Sequence, residues 1–278
     1  MTNEKEECST KEDSLRMPYK EVKIFSDRIA GISNRTWNPV TGCLYGCTYC
    51  FARHYVKKFA EENGVDDSFT PRLIEKELYS VEFKPGETIF VTDLGDLFGY
   101  WVPREWIENV LKVIKDNPDT TFILHTKNPS RFREFDYSSL SNIYIGTTIE
   151  TNRDYSLTKA PEPYLRFKAM CNLPGRKEVS ICPIMDFDLD ILVSWIEKIE
   201  PEVVEVGADN HGNNLPEPTW EKIESLLDTL RDFCPKVVEK KGLASLRERS
   251  FAVSDPCYTS KYYLQLDNFS KDYFLSKK

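Results

Sequence analysis

No run of this sequence approaches the roughly 18–20 apolar residues that a membrane span needs. Its opening residues, Met1-Thr2-Asn3-Glu4-Lys5-Glu6-Glu7-Cys8, lack the basic and apolar regions of a signal peptide, so the expected location is the cytoplasm. A basic field for a polyanion is missing too. There are 37 lysines and arginines against 45 acidic residues, a net charge of −8, so nucleic acid could be held only in a local basic groove. Eight cysteines in 278 residues do not make a disulfide scaffold. No internal repeat is present. What remains is an ordinary composition, 40% hydrophobic and 29% charged. The chain is long enough to bury a sizeable core, as one large α/β domain or two small ones.

Three of the cysteines lie within eight residues, in the run Thr41-Gly42-Cys43-Leu44-Tyr45-Gly46-Cys47-Thr48-Tyr49-Cys50-Phe51-Ala52. Thiolates packed this closely can converge on one metal centre, which argues for ligation in a reducing compartment. Cys43, Cys47 and Cys50 are one thiolate short of the four that fill a cubane iron–sulfur cluster. The alternative is structural zinc, because His54 extends the pattern to three cysteines and a histidine. The other five (Cys8, Cys171, Cys182, Cys234, Cys257) are scattered and form no second cluster. They read as small buried hydrophobes, or as exposed in the case of Cys8.

Residues 1–20 are polar and charged and read as a poorly ordered lead-in. Beyond the cysteines, β-branched runs alternate with amphipathic segments. Strands are expected at 87–92, 121–126, 142–149, 178–183, 202–207 and 236–239. Helices are expected from Pro103, with Ile107, Val110, Leu111 and Ile114 on one face, and at 162–171, 189–199 and 218–233. About six such units predict a parallel sheet with right-handed crossovers. A partial (β/α) barrel suits them better than a doubly wound sheet.

In parallel α/β folds, polar residues at the C-terminal ends of strands form the site. Here those ends carry Asp93, Gly95 and Asp96; His125 to Asn128; Thr147, Thr148 and Glu150; Cys182 to Asp186; and Asp209 to His211. Each has a bland reading. Asp93 and Asp96 could cap a helix, Lys127 could be a solvated loop lysine, and Glu150 could cap its own loop. Asp209 and His211 fit turn chemistry, and Cys182 fits a core strand. Lys127 could instead point into the barrel mouth and bind a carboxylate or phosphate. Lys236, Lys240, Lys241, Arg247 and Arg249 read as a solvated basic face, and as the candidate patch for a polyanion.

The cysteine spacing resembles the signature of radical S-adenosylmethionine (SAM) enzymes. Thr36-Trp37-Asn38-Pro39-Val40-Thr41-Gly42-Cys43 with Gly46-Cys47-Thr48-Tyr49-Cys50-Phe51-Ala52 is similar to a phage and archaeal radical-SAM-like family of unknown function. So are Asp93-Leu94-Gly95-Asp96-Leu97-Phe98-Gly99, Thr126-Lys127-Asn128-Pro129 and Gly146-Thr147-Thr148-Ile149-Glu150. Many members of that family space the first two cysteines more widely, around a serine; this chain has the plain radical-SAM spacing. The resemblance implies a 4Fe–4S cluster on Cys43, Cys47 and Cys50, with SAM chelated at the free iron. It implies that Asp93, Gly95 and Asp96 hold SAM's amino group. Thr148 and Glu150 would contact ribose or methionine, and the backbone near Tyr49 would pack by the adenine. The implied reaction is reductive SAM cleavage to a 5′-deoxyadenosyl radical that abstracts hydrogen, fed by a donor such as a ferredoxin or flavodoxin. As some radical enzymes use a thiol to donate hydrogen, Cys182 is a catalytic candidate beside Lys127. The substrate is unassigned, with a nucleic-acid- or nucleotide-related one suggested by the phage association. The expected organisation is a lead-in at 1–30, a radical-SAM partial barrel at 31–245 and a C-terminal extension at 246–278. The competing reading is a non-enzymatic zinc or cluster module that binds a protein or nucleic acid.

Overall fold

The computed structural model describes residues 33–63, 69–240 and 242–254. The lead-in at 1–30, Cys8, Lys241 and Cys257 lie outside them, as does the extension beyond 254. Along the chain run β1 (Arg35–Trp37), β2 (Val40–Thr41), α1 (Phe51–Asn63), β3 (Arg72–Leu73), α2 (Glu75–Ser80), β4 (Thr88–Val91) and α3 (Arg104–Lys115). They are followed by β5 (Thr121–Thr126), β6 (Ile143–Thr148), α4 (Pro163–Cys171), β7 (Arg176–Ile181), α5 (Leu189–Ile199), β8 (Val203–Val206), α6 (Trp220–Phe233), β9 (Lys236–Glu239) and α7 (Leu243–Ser254).

Seven strands form one parallel sheet in the order β1-β4-β5-β6-β7-β8-β9. Strand order follows chain order and never reverses. That rules out a doubly wound sheet, which changes winding direction at a switch point. β1 and β9 are not paired with each other, so the barrel is open: it is a partial (β/α) barrel. The seventh strand, β1, is Arg35–Trp37, and three residues are too few to show a period. It pairs with β4, matching Thr36 to Phe90.

Alternation along each strand divides the molecule. Ile89, Val91, Phe122, Leu124, Ile145, Val179, Ile181, Val204 and Val206 are buried in the main core. Ile107, Val110 and Ile114 of α3 and Ile223, Leu226, Leu227 and Leu230 of α6 join them, at the three- and four-residue spacings of a helix stripe. The intervening strand positions face the concave side, where a closed barrel would usually be filled by Val, Ile and Leu. Here they are Thr88, Phe90 and Thr92; Ile123 and His125; Tyr144 and Thr148; Glu178, Ser180 and Cys182; and Glu205 and Lys240, lining two cavities at opposite ends of the sheet. A partial barrel leaves this face for chemistry.

Candidate active site in the barrel lumen

The cysteine loop begins where β2 ends, and backbone contacts fix it to the strand ends. Gly42 donates its N–H to Leu94 O at 2.8 Å and bridges Gly95. Gly42 has a φ of +85°, and a Cβ there would stand 2.4 Å from Thr70 O. Only glycine meets both demands. Asn38 anchors the other side, donating from Nδ2 to Asp93 Oδ1 at 2.7 Å and accepting the Leu94 N–H at 2.9 Å. The Trp37 ring is buried and donates Nε1–H to Glu77 O. The Trp-Asn-Pro motif therefore joins the cysteine loop to the Asp93–Asp96 turn.

Cys43, Cys47 and Cys50 all line one cavity of about 250 Å³. Cys47 is buried, with Sγ 3.0 Å from Thr158 Oγ1. Cys50 directly precedes α1, and its Sγ accepts the Arg53 N–H at 3.4 Å. A helix N-terminus favours the thiolate there. Burial nonetheless pushes the Cys50 thiol up, opposed by that N–H. Cys43 is raised further, by burial and then by Asp96. A positively charged group between the thiols would relieve both effects. Among the described residues, no three His, Cys, Asp or Glu side chains are gathered to hold a single metal ion. His54 is exposed on α1, its ring stacked 6.1 Å from that of His211.

Three residues that line the cavity each bury a polar atom with no hydrogen-bond partner: Tyr45 Oη, Thr92 Oγ1 and Glu205 Oε1. Thr92, a β-branched residue, also holds a φ of +63°, a strained state found at functional sites. Each unpaired atom is a place where a polar ligand can bond.

Asp93, Gly95 and Asp96 line the cavity, as do Tyr49, Lys127, Thr148 and Cys182. Asp96 is buried and accepts from Phe98 N–H, from Thr126 Oγ1–H at 2.6 Å and from Lys127 N–H at 2.9 Å. Burial raises its carboxyl, and the Thr126 and Lys127 hydrogen bonds oppose the rise. Glu150 lies just behind the wall as a buried hub. Oε1 accepts the Tyr49 hydroxyl at 2.6 Å and pairs with Lys127 Nζ at 2.8 Å, while Oε2 pairs with Arg166 at 2.7 Å. Burial works to raise Glu150, but Arg166 and Lys127 reverse it and hold the carboxyl well below its usual range. Lys127 lines the cavity, and its ammonium turns to Glu150 behind the wall. Asp209 and His211 reach the same rim, with Asp209 also accepting the His211 and Asn213 N–H groups of its turn.

Below the rim the lumen carries a chain of polar contacts. Glu178 Oε2 is 2.7 Å from His125 Nδ1, and His125 Nε2 is 2.9 Å from Thr148 Oγ1. A carboxylate only accepts, so Nδ1 carries a proton, and in the neutral ring Nε2 accepts the Thr148 hydroxyl. Gly146 makes room for this pair: a Cβ there would lie 2.1 Å from Glu178 Oε2. One strand further, Glu205 Oε2 pairs with Lys240 Nζ at 2.9 Å. Gly207 is bare for a like reason, since its Cβ would meet Cys182 Sγ at 2.7 Å and Lys240 Cδ at 3.0 Å.

Residues 30–173 match the family described as "Protein of unknown function (DUF5131)". The chain belongs to that family. No curated protein matches its sequence. In fold, this DUF5131 chain is similar to solved structures of spore photoproduct lyase. A single-substitution mutant of that enzyme gives a TM-score of 0.51 at 11% identity, covering 72% of this chain and 74% of the other. A double mutant with bound AdoMet and dinucleoside spore photoproduct gives 0.51 at 11%, over 74% and 75%. At this identity the likeness concerns the fold.

Glu178, Glu205 and Arg166 of this DUF5131 member were not expected from sequence as site residues, and His125 was expected there only as part of a polar strand end. Lys240 is a correction: it was expected on a solvated basic face, but only 7% of its side chain is exposed and it turns into the lumen. The signal was available. A lone acid inside Val203-Val204-Glu205-Val206 is out of place in a strand buried on both faces unless one face is a polar chamber.

Proposed function

We propose that this protein is a radical SAM enzyme in which Cys43, Cys47 and Cys50 hold a 4Fe–4S cluster. What carries the reading is the placement of three disulfide-free cysteines on the wall of one cavity, in a radical-SAM-type partial barrel. The donor set suits a cluster, which takes thiolates and, with three of them, keeps one iron open. Structural zinc wants a fourth nitrogen or sulfur ligand, and the candidate, His54, is exposed on α1 with its ring stacked on His211. When bound, the cluster supplies the electron that cleaves SAM, and SAM supplies the 5′-deoxyadenosyl radical that takes a hydrogen atom from the substrate.

The chain's own residues bind, orient and shield. Asp93, Gly95 and Asp96 form the wall beside the cysteine loop, where Gly95 permits close backbone approach and Asp96 is rigidly held for a cationic amino group. Thr148 supplies a hydroxyl whose orientation His125 sets. Glu150, though off the cavity wall, fixes Tyr49 and Lys127 on it. Cys182 lines the same cavity and would give a hydrogen atom to the product radical, the resulting thiyl being reduced back by the electron donor and a proton; burial raises its thiol, so it starts protonated. The walls keep water from the reactive centre. The electron comes from a ferredoxin- or flavodoxin-type donor in a reducing cytoplasm. The substrate belongs to the nucleotide- or nucleic-acid-related class, entering one local site on an otherwise acidic protein.

The test is oxygen-free purification, reconstitution with iron and sulfide, and assay with dithionite and SAM. A brown protein with a broad band near about 400 nm, as for thiolate-bound clusters, is expected. So is 5′-deoxyadenosine that disappears in Cys43→Ala. A colourless protein holding one zinc would overturn the proposal.

A further inference from the structure

We propose that the floor of this cavity is a substrate subsite for a neutral amide-type edge, an N–H beside a C=O, formed by Glu205 and Lys240. The inference rests on the cavity being the reaction chamber and adds what that chamber recognises. Both side chains are almost fully buried, at 2% and 7% exposure, and both line the cavity. A buried ion pair is a poor way to stabilise a barrel, since apolar residues of equal volume do as well or better. Its conspicuous feature is the unused half. Glu205 Oε2 takes Lys240, while Oε1 is shut off from water with no partner in the protein. Lys240 Nζ has one partner and three protons. An acceptor and a donor thus stand side by side, both unsatisfied.

Charge decides what fits them. A cationic ligand would answer Glu205 but meet the ammonium of Lys240, with Lys127 on the same wall. An anionic ligand would answer Lys240 but meet Glu205 and, close by, Glu178. A neutral group that gives one N–H to Oε1 and takes one N–H from Nζ satisfies both without adding charge. A lactam, imide or primary amide has that edge. Cys182 Sγ lies beside Lys240 across the bare Gly207, so an edge seated here brings the atoms next to it near the thiol.

The probe is 2-pyrrolidinone, with N-methyl-2-pyrrolidinone as its blocked twin. Affinities would be measured by saturation-transfer NMR on the cluster-loaded protein with SAM and no reductant. The free N–H compound should bind at least about tenfold more tightly, equivalent to about 1.4 kcal/mol. That preference should vanish in Glu205→Met/Lys240→Met, which removes both charges at similar volume and whose folding urea denaturation would verify. Equal binding of the two compounds, no detectable binding of either, or a preference surviving in the double variant would each overturn the subsite. Deoxyadenosine formation is scored separately. If the preference holds without SAM cleavage, the radical reading fails and the subsite stands; the reverse result sinks the subsite alone.

Discussion

Replacing Arg166 with methionine would test whether Glu150 is held charged by its surroundings. Arg166 is 1% exposed and donates to Pro161 O, Thr148 O and Glu150 Oε2, each at 2.7 Å. Methionine fills much of the volume but leaves all three acceptors without that donor. Breaking one side of a buried ion pair costs about 3–5 kcal/mol. Orphaning two buried carbonyls adds about 1–3 kcal/mol each where water cannot reach them. Lys127 and Tyr49 still hold Oε1, so we expect a net loss of about 4–6 kcal/mol rather than the full sum. That is a large part of an ordinary domain's stability. Urea denaturation at neutral pH, with the slope unchanged, would read it.

Glu150→Gln alone strands Arg166 in turn, so Glu150→Gln/Arg166→Met should lose at least about 1.5 kcal/mol less than the sum of the two single variants. Acid gives the matching signature. Glu150 has a folded pKa below its ordinary 4.5, so its contribution is fully present above that value and lost as pH falls below it. Glu150→Gln removes this residue's share of the acid slope. A loss under about 1 kcal/mol in Arg166→Met, or single losses that simply add in the double variant, would refute the reasoning, since neither is compatible with a coupled buried ion pair.

Two substitutions probe the glycines. Gly146→Ala puts a methyl 2.1 Å from Glu178 Oε2 and 3.0 Å from His125 Nδ1; separating that pair while crowding the lumen should cost about 2–5 kcal/mol by urea denaturation. Wild-type stability would show that the pair shifts freely. Gly42→Ala meets backbone at 2.4 Å and takes on a left-handed φ, so about 2–4 kcal/mol should be lost. Iron retained per chain after reconstitution should fall with it, and full iron loading would mean that the loop is not positioned as argued.

Much of the architecture could be read from the sequence because its signals are local. The 87–92 run became β4 and the helix expected at 189–199 is α5, since strand alternation and helix stripes are written within a few residues. Cys43, Cys47 and Cys50 were legible for the same reason, as were the polar strand ends from Asp93 to Cys182. β1 escaped notice because a three-residue strand has no period and exists only through its pairing with β4. The partners of Glu150 escaped too: Tyr49 and Glu150 are 101 residues apart, and nothing local joins them.

The sequence by itself determined a parallel α/β chain with three clustered thiols and a polar rim, because each follows from spacing along the backbone. Only the tertiary structure decided which way the alternate residues of the strands face. A strand's period tells one face from the other, but curvature decides which becomes the lumen. That curvature turns Glu178, Glu205 and Lys240 inward, making charges that looked structural or solvated into the lining of a chamber.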